Sequence, residues 1–418
     1  MKFLFGILVL VASFDVHVFA SEVVTIKSLI EEALMNNPEI KAARAKWEAS
    51  TKRPSQEGSL PDPMVGATWR NVSFDRITLT EDPDSMLLFS FSQEFPFPGK
   101  LSLKEKIATE EAEAEEKGYE AAKRQIIAEL KEAYYDWFFV NKSIEVTSKN
   151  KGLIEKFVNI SETRYEVGEG IQQDVIKAQL EQSKFIEQLE ILRQKEGVIE
   201  AKIRSILNRL PDSPLGEPED IEKSPITLTL DELYKIAEEN APVLQSRENI
   251  IEREEKALSL AKREYYPDFA LEAGPGVMGE EGGGTQGVWE ATLEVRVPLY
   301  FWRKQRFGVE EAVSELQAAK EEYASTKQDL LFNIKDKYLA AKTSENLLKL
   351  YKEGIIPQSR LSLESALSGY QVGAVDFLTL IDNSVNLFNF ELEYHRQLVE
   401  YLKAIARLEE ITGVELRK

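Results

Sequence analysis

The chain has 418 residues, 43% of them apolar, which is enough to bury a substantial core. A formal charge of −20, with no basic stripe, excludes a nucleic-acid or anionic-membrane surface. The absence of cysteine excludes disulfides, thiolate metal sites, a cysteine nucleophile and a lipidated N-terminal cysteine.

Residues 1–20 read as a signal peptide: Lys2 is a short basic region, Phe3 to Val11 an apolar run too short to span a membrane, and Val18-Phe19-Ala20 a small-residue cleavage site. Elsewhere no apolar run is long enough for a transmembrane helix, so any crossing must be made by strands.

The mature sequence is duplicated, which bears on every later reading. "SLIEEALMNNPEI" returns as "ELYKIAEENAPVL", matching Leu29, Ala33, Asn36 and Pro38 with Leu233, Ala237, Asn240 and Pro242. "LPDP" returns as "YPDF", "QEFPFPGK" as "VRVPLYFWRK", and "RYEVGEG" as "GYQVGAV". The predicted organisation is a first repeat over 21–207, a Pro-rich linker over 208–227 and a second repeat over 228–418. Each repeat reads as helix, strand, loop, strand, very long helix, turn and second long helix.

Four strands are predicted: 64–72, 86–95, 269–274 and 288–297. In the last, Trp289, Ala291, Leu293, Val295 and Val297 alternate with Glu290, Thr292, Glu294 and Arg296, so one face is oily and the other charged. In the second, Leu87, Phe89, Phe91 and Phe95 share a face with Gln93, opposite Leu88, Ser90, Ser92 and Glu94. Two of the strands are about ten residues long, near what a tilted strand needs to cross a bilayer. "RNVSFDRITLTEDPDS" and "GPGVMGEEGGGTQG" read as polar, flexible connecting loops, too long for tight hairpins. A sheet in lipid must close on itself. Four strands cannot, so two protomers with eight strands or three with twelve must share one barrel, and the polar face of Glu290, Thr292, Glu294 and Arg296 suits the open lumen of the larger ring.

The helical parts keep a seam in alternating steps of four and three. It runs Ile126, Leu130, Ala133, Trp137, Val140 and Ile144; then Ile171, Val175, Ala178, Gln182, Phe185, Leu189, Leu192, Glu196, Ile199, Ile203 and Ile206; then Leu378, Ile381, Val385, Phe388, Leu392, His395, Val399 and Leu402. This is the mark of a coiled coil. From Leu101 to about Glu166 nothing but Gly118 and Gly152 interrupts the helix, which gives an arm of roughly 100 Å. Pro357 is expected to break or kink the matching arm. Tyr165-x-Val167-Gly168 and Tyr370-x-Val372-Gly373 are C-cap glycines at antiparallel turns, and their recurrence in both repeats marks them as candidate working tips.

Gly-x-Ser-x-Gly, His-Glu-x-x-His and P-loop motifs are absent, so the chain is read as a non-enzyme that needs no cofactor or metal. His395, on a seam with no second imidazole nearby, reads as a packed polar residue. A soluble periplasmic coiled-coil adaptor or scaffold explains the heptads and the export signal, but not the duplicated strand pairs.

The repeated Leu-x-x-x-Ala-x-x-x-Asn-x-Pro opening, "QEFPFPGK", and the tips "RYEVGEGIQQDVIKAQ" and "GYQVGAVDFLTLID" together resemble the TolC-like outer-membrane efflux proteins over nearly the whole mature chain. The resemblance implies a mainly α protein with a small β part. It would form a homotrimer with a shared twelve-stranded outer-membrane barrel and a periplasmic tunnel of long antiparallel coiled-coil helices. It also implies a passive exit duct for an inner-membrane pump, joined through a periplasmic adaptor. "LPDPM", "FPFPGK" and "GIQQDVIKAQ" are most similar to the heavy-metal-efflux branch. By the same resemblance Arg164, Tyr165, Val167, Gly168, Tyr370, Val372 and Gly373 would dock adaptor hairpins. Asp174, Asp376 and Asp382 would ring a periplasmic gate, where symmetry copies of a carboxylate repel each other and attract cations.

Overall fold

The computed structural model describes residues 23–71, 83–223, 225 and 227–416. The predicted signal peptide, with His17, and most of the first inter-strand loop lie outside the described residues. Along the chain β1 (Val23–Val24), α1 (Ile26–Asn36), α2 (Pro38–Ser50), α3 (Arg53–Glu57), β2 (Met64–Arg70), β3 (Met86–Phe95), α4 (Lys100–Glu166) and α5 (Gln172–Ile206) come first. They are followed by β4 (Glu217–Pro218), α6 (Leu230–Asn240), α7 (Pro242–Arg263), β5 (Asp268–Glu280), β6 (Gly284–Arg296) and α8 (Lys304–Leu350). A π-helical turn (Tyr351–Ile355), α9 (Ile356–Gln371) and α10 (Phe377–Thr412) complete the chain.

The Asn-x-Pro signature explains itself locally. α1 ends at Asn36, Asn37 turns extended, and Pro38 opens α2 with its missing N–H in the first turn, where no partner is needed. The Asn37 side chain caps α2 by accepting from Glu39 N at 2.8 Å and Ile40 N at 3.1 Å. Ala241, also extended, and Pro242 repeat the break between α6 and α7. Further on, Pro357 sits in the first turn of α9, directly after the π-helical turn. A ring that cannot donate and that crowds the carbonyl four residues back is relieved by such a widened turn.

The chain divides into two compact units that each draw on both sequence repeats. The first takes the described residues up to Met35, Leu130–Lys223 and Tyr351–Val399. Its core joins the α4–α5 hairpin to the α9–α10 hairpin through Ile154, Phe157, Ala178, Phe185, Leu380 and Phe388. Phe185 and Phe388 meet edge to face at 5.0 Å, worth about 0.5–1.5 kcal/mol beyond burial. The predicted seams point inward at most positions, with Ile144, Val175, Gln182, Glu196, Ile199, Val385, Leu392 and His395 half-buried. Two differ. Ile171 precedes α5 as its N-cap and is exposed, and Leu378 is exposed because Phe377 and Leu380 take the core side of the first turn of α10.

The same unit anchors the start of the described chain. β1 pairs in parallel with β4 from the Pro-rich linker. The buried Tyr134 hydroxyl donates to Val24 O at 2.8 Å and accepts from Glu219 N at 3.0 Å. Burial pushes this phenol up to about 12, so it stays neutral and keeps both bonds. His395 lies within reach of the Phe138 and Tyr394 rings, at 6.5 and 5.3 Å between centroids, and burial lowers its pKa. This fits a packed polar residue, and no cluster of three or more His, Asp or Glu suited to a metal occurs among the described residues.

The second unit holds Asn36–Glu129, Ser224–Leu350 and Glu400–Lys418. α6 opens with a capping box, Thr229 and Glu232 each bonding the other's backbone N–H. Leu233, Ala237, Leu244, Leu330, Ile334 and Leu408 form a core against α8 and the end of α10. The unit also contains a four-stranded antiparallel sheet in the order β2-β3-β5-β6, so among the described residues β2 and β6 are its free edges.

The strand boundaries correct one sequence expectation. The glycine-rich "GPGVMGEEGGGTQG" is not a long flexible loop: β5 continues to Glu280, β6 begins at Gly284, and three residues make a tight hairpin. Gly282 and Gly283 supply positive φ of 104° and 88° for the turn. The flanking glycines are strand residues, paired from Gly274–Glu290 to Glu280–Gly284. At the same end of the sheet Arg70 closes β2 opposite Met86 of β3, and Asn71 follows with a φ of 56°.

Candidate functional site

Both hairpin tips use the same device. At the end of α4 the N–H of Gly168 bonds Tyr165 O at 3.1 Å, and that of Glu169 bonds Arg164 O at 2.8 Å. At the end of α9 Gly373 N bonds Tyr370 O at 3.1 Å, and Ala374 N bonds Gly369 O at 2.8 Å. These are paired Schellman closures, and they require the left-handed backbone seen at Gly168 (φ 77°) and Gly373 (φ 72°). Tyr165, Val167 and Val372 stand exposed around them.

Arg164 ties the two tips together. Its guanidinium lies 4.8 Å from the Tyr370 ring centre, donates through Nη1 to Tyr370 O, and donates through Nη2 to Glu169 O at 3.3 Å. Sequence reasoning placed Arg164 beside the tip but missed this bridge, because nothing local signals a bond to a carbonyl in the other repeat.

A cleft of about 370 Å³ opens next to the bridge, lined by Arg164, Asp174, Lys177, Tyr370, Asp376 and Phe377 among others. Two of the three predicted gate carboxylates therefore meet here, while Asp382, exposed on α10, does not line the cleft. The two differ electrostatically. Burial raises the pKa of Asp174, Arg164 pulls it down, and the negative charge of Asp376 raises it further. Asp376 caps α10: its Oδ1 accepts from Thr379 N at 2.7 Å, and bonds from the Thr379 amide and hydroxyl hold its carboxyl below the usual range. As pH falls, Asp174 is protonated before Asp376.

The sheet is two-faced across all four strands. Register places Val65, Trp69, Leu87, Phe89, Phe91, Phe95, Leu271, Trp289, Leu293 and Val295 on one side. All of these but the half-buried Leu87 are uncovered, with Val65 and Trp289 82% and 81% exposed. The other side carries Thr68, Arg70, Ser90, Ser92, Glu94, Glu272, Glu290, Thr292, Glu294 and Arg296. Arg296 pairs with Glu94 at 2.8 Å, and Arg70 approaches Glu290 at 3.9 Å. The four residues singled out in sequence, Glu290, Thr292, Glu294 and Arg296, thus share this polar face. Large apolar side chains gathered on one uncovered face mark a surface that meets lipid or another protein.

A duplicated chain of long helical hairpins with a two-faced antiparallel sheet is the class of protein these features define. The model of the outer membrane efflux protein family matches residues 29–209 and 233–414, once in each repeat. The chain belongs to that family, whose place is the outer membrane and whose members are channel proteins. The cobalt-zinc-cadmium resistance protein CzcC of Cupriavidus metallidurans is 20% identical over 182 residues, which cover 44% of this chain and 42% of CzcC. The chain thus aligns with less than half the length of that relative. The outer-membrane channel OprN has the same fold, with a TM-score of 0.80 at 16% identity over 94% of this chain and 91% of its own. So has the outer membrane protein VceC of Vibrio cholerae, with a TM-score of 0.79 at 20% identity over 94% and 97%.

Proposed function

We propose that the mature chain, freed of residues 1–20, is the outer-membrane exit channel of a tripartite efflux system. It would conduct passively from an inner-membrane pump through a periplasmic adaptor. The observation that carries this reading is the four-stranded sheet with an uncovered apolar face, a charged opposite face and two free edges. In lipid those edges must be paired, so three copies would complete a twelve-stranded barrel with Glu290, Thr292, Glu294 and Arg296 towards the lumen. The matched hairpins of the two repeats, 21–207 and 228–418 joined by 208–227, would supply the helical tunnel. The partial likeness to CzcC favours divalent metal cations as cargo. Recovery in the outer membrane with detergent extraction, and pores in planar bilayers, are the expected results. Release into the soluble periplasm without detergent would favour the scaffold reading instead.

Asp174, Asp376 and Asp382 form the entrance in this reading, each present in three copies around the axis. Charge reversal at Asp376 or Asp382 should raise or lower leak conductance several-fold and shift it away from cations. Unchanged conductance in both variants would remove them from the gate. Asp174→Asn should abolish the higher-pH step in the conductance titration and leave the lower, Asp376-dependent one.

The exposed tip residues Tyr165, Val167, Gly168, Val372 and Gly373 would form the adaptor-docking surface, with half-buried Arg164 behind them; Tyr370, only 4% exposed, packs in the core and braces the tip instead of docking a partner. An added Cβ meets nothing at Gly168 and only ordinary contact at Gly373, so substitution there acts through the backbone alone. A side chain in the left-handed region costs about 1–2 kcal/mol, least for Asn. Replacing both glycines by Val should therefore abolish adaptor capture and efflux, while replacing both by Asn should preserve them. Equal efflux in the two double variants would refute the assignment.

A further inference from the structure

The two repeats meet inside one chain at a lock whose mirror parts are both left open. Lys100, the first residue of α4, places Nζ 2.9 Å from Asp268 Oδ1, and Asp268 also accepts from Phe97 N at 2.7 Å. Phe97 stacks on Tyr266 at 4.5 Å. The lock therefore joins "FPFPGK" of the first repeat to "YPDF" of the second, beside the β3–β5 pairing.

Duplication supplies the reciprocal set. "LPDP" puts Leu60 and Asp62 in the places of Tyr266 and Asp268. "VPLYFWRK" puts Leu299 in the place of Phe97, and Lys304, the first residue of α8, in the place of Lys100. The match is incomplete: Leu60 and Leu299 replace the stacked Tyr266 and Phe97, two extra residues precede Lys304, and Gly58 stands where Glu264 supplies Lys100 with a second carboxylate. All four residues of this second set are exposed, and among the described residues neither the Asp62 carboxylate nor the Lys304 ammonium has a hydrogen-bond or ion-pair partner.

Resting on the shared-barrel reading above, we infer that a second copy of this chain completes the set: β6 of one protomer pairs with β2 of the next, and Lys304 of the first closes on Asp62 of the second. Transferring the β3–β5 register through the repeat makes the seam specific. The pair Glu94–Ala270 becomes Arg296–Met64, Ser92–Glu272 becomes Glu294–Gly66, and Leu88–Gly276 becomes Glu290–Arg70. The direction is antiparallel, as a closed alternating ring requires. The parity is also right. On the polar side Arg296 faces Met64, Glu294 faces Gly66 and Glu290 faces Arg70 of the next copy, in place of its 3.9 Å approach to Arg70 of its own chain, while on the apolar side Leu293 faces Ala67 and Val295 faces Val65. A slip by one residue would turn every side chain of one strand to the wrong face.

The natural absence of cysteine makes the test clean. Oxidised V65C/V295C protein in outer membranes should run as covalently closed oligomers that reductant dissolves. The pairs shifted by one pleat, V65C/L293C and V65C/V297C, should link several-fold less. Native oligomers that link only at a shifted pair, or at none, overturn the register, whereas a monomer in every variant overturns the shared barrel itself. For the lock, D62K and K304D should each lower the temperature at which oligomers dissociate, and the combined swap should recover most of the loss. Additive losses in the combined variant would show that the two residues do not meet.

Discussion

Lys100→Met is expected to cost about 3 kcal/mol of stability, read as a fall in the urea midpoint of the detergent-solubilised protein, at the lower end of the range for breaking a buried ion pair. The reasoning starts from an apparent misplacement. A cation at the first residue of a helix opposes the helix dipole by roughly 0.3–1 kcal/mol, and Lys100 is also only 3% exposed. Such a group persists only if partners more than offset both penalties. Asp268, Glu264 at 3.2 Å and Tyr266 O at 3.3 Å supply them. Removing the ammonium leaves the Asp268 carboxylate, with a fifth of its side chain exposed, one hydrogen bond from Phe97 N and the more distant charge of Arg296. Glu264 is half exposed and returns to water at little cost, which keeps the effect below the upper end of the range. Asp268→Asn should cost a similar amount, and the two together clearly less than their sum, because each single change already breaks the shared interaction. Strict additivity, or a loss under about 1 kcal/mol for Lys100→Met, would mean that the junction is held by the Phe97–Tyr266 stack and the Arg263 bond to Pro98 O instead.

The lock also marks where sequence reading stops. "QEFPFPGK" and "YPDF" stand out as repeated words, yet nothing local says that the first repeat's word binds the second repeat's. Pairing across about 170 residues leaves no periodicity. The helices were legible because a buried stripe recurs every three or four residues, as at Leu130, Ala133, Trp137 and Val140. The tips were legible because only glycine enters the left-handed region freely, so Gly168 and Gly373 report backbone geometry directly. The exposed Leu378 shows the limit of stripe counting at a helix start, where Phe377 and Leu380 compete for the same core. The cleft of Asp174 and Asp376 required knowing that the hairpins of both repeats share one core, which is tertiary information. The glycine-rich stretch failed for a different reason: glycine has no side chain to alternate, so a strand made largely of it gives no period-two signal.

That failure points to the second large effect. Gly274→Val should remove the protein from the outer membrane almost completely, while Gly287→Val, one strand away, should leave its amount within about twofold of normal. Both are strand glycines in the same hairpin. A Cβ built at Gly274 collides with the carbonyl oxygen of Phe89 and crowds Ser90, both backbone atoms of β3 that cannot swing aside, whereas at Gly287 it meets nothing. The β3–β5 ladder is already interrupted here, between the pairs Leu88–Gly276 and Phe91–Ala273, and Pro275 has no N–H with which to restore it. Glycine at 274 lets the two strands approach in spite of the gap. Valine would push them apart at the seam joining the two repeats, and overpacking against a fixed backbone costs about 1–3 kcal/mol or more. In lipid each ladder bond lost with it leaves a donor and an acceptor unpaired at several kcal/mol apiece. Quantifying both variants in washed outer membranes, with heat-modified mobility as the check on folding, decides the matter. Normal amounts of folded Gly274→Val protein would mean that β3 and β5 do not lie together in the bilayer.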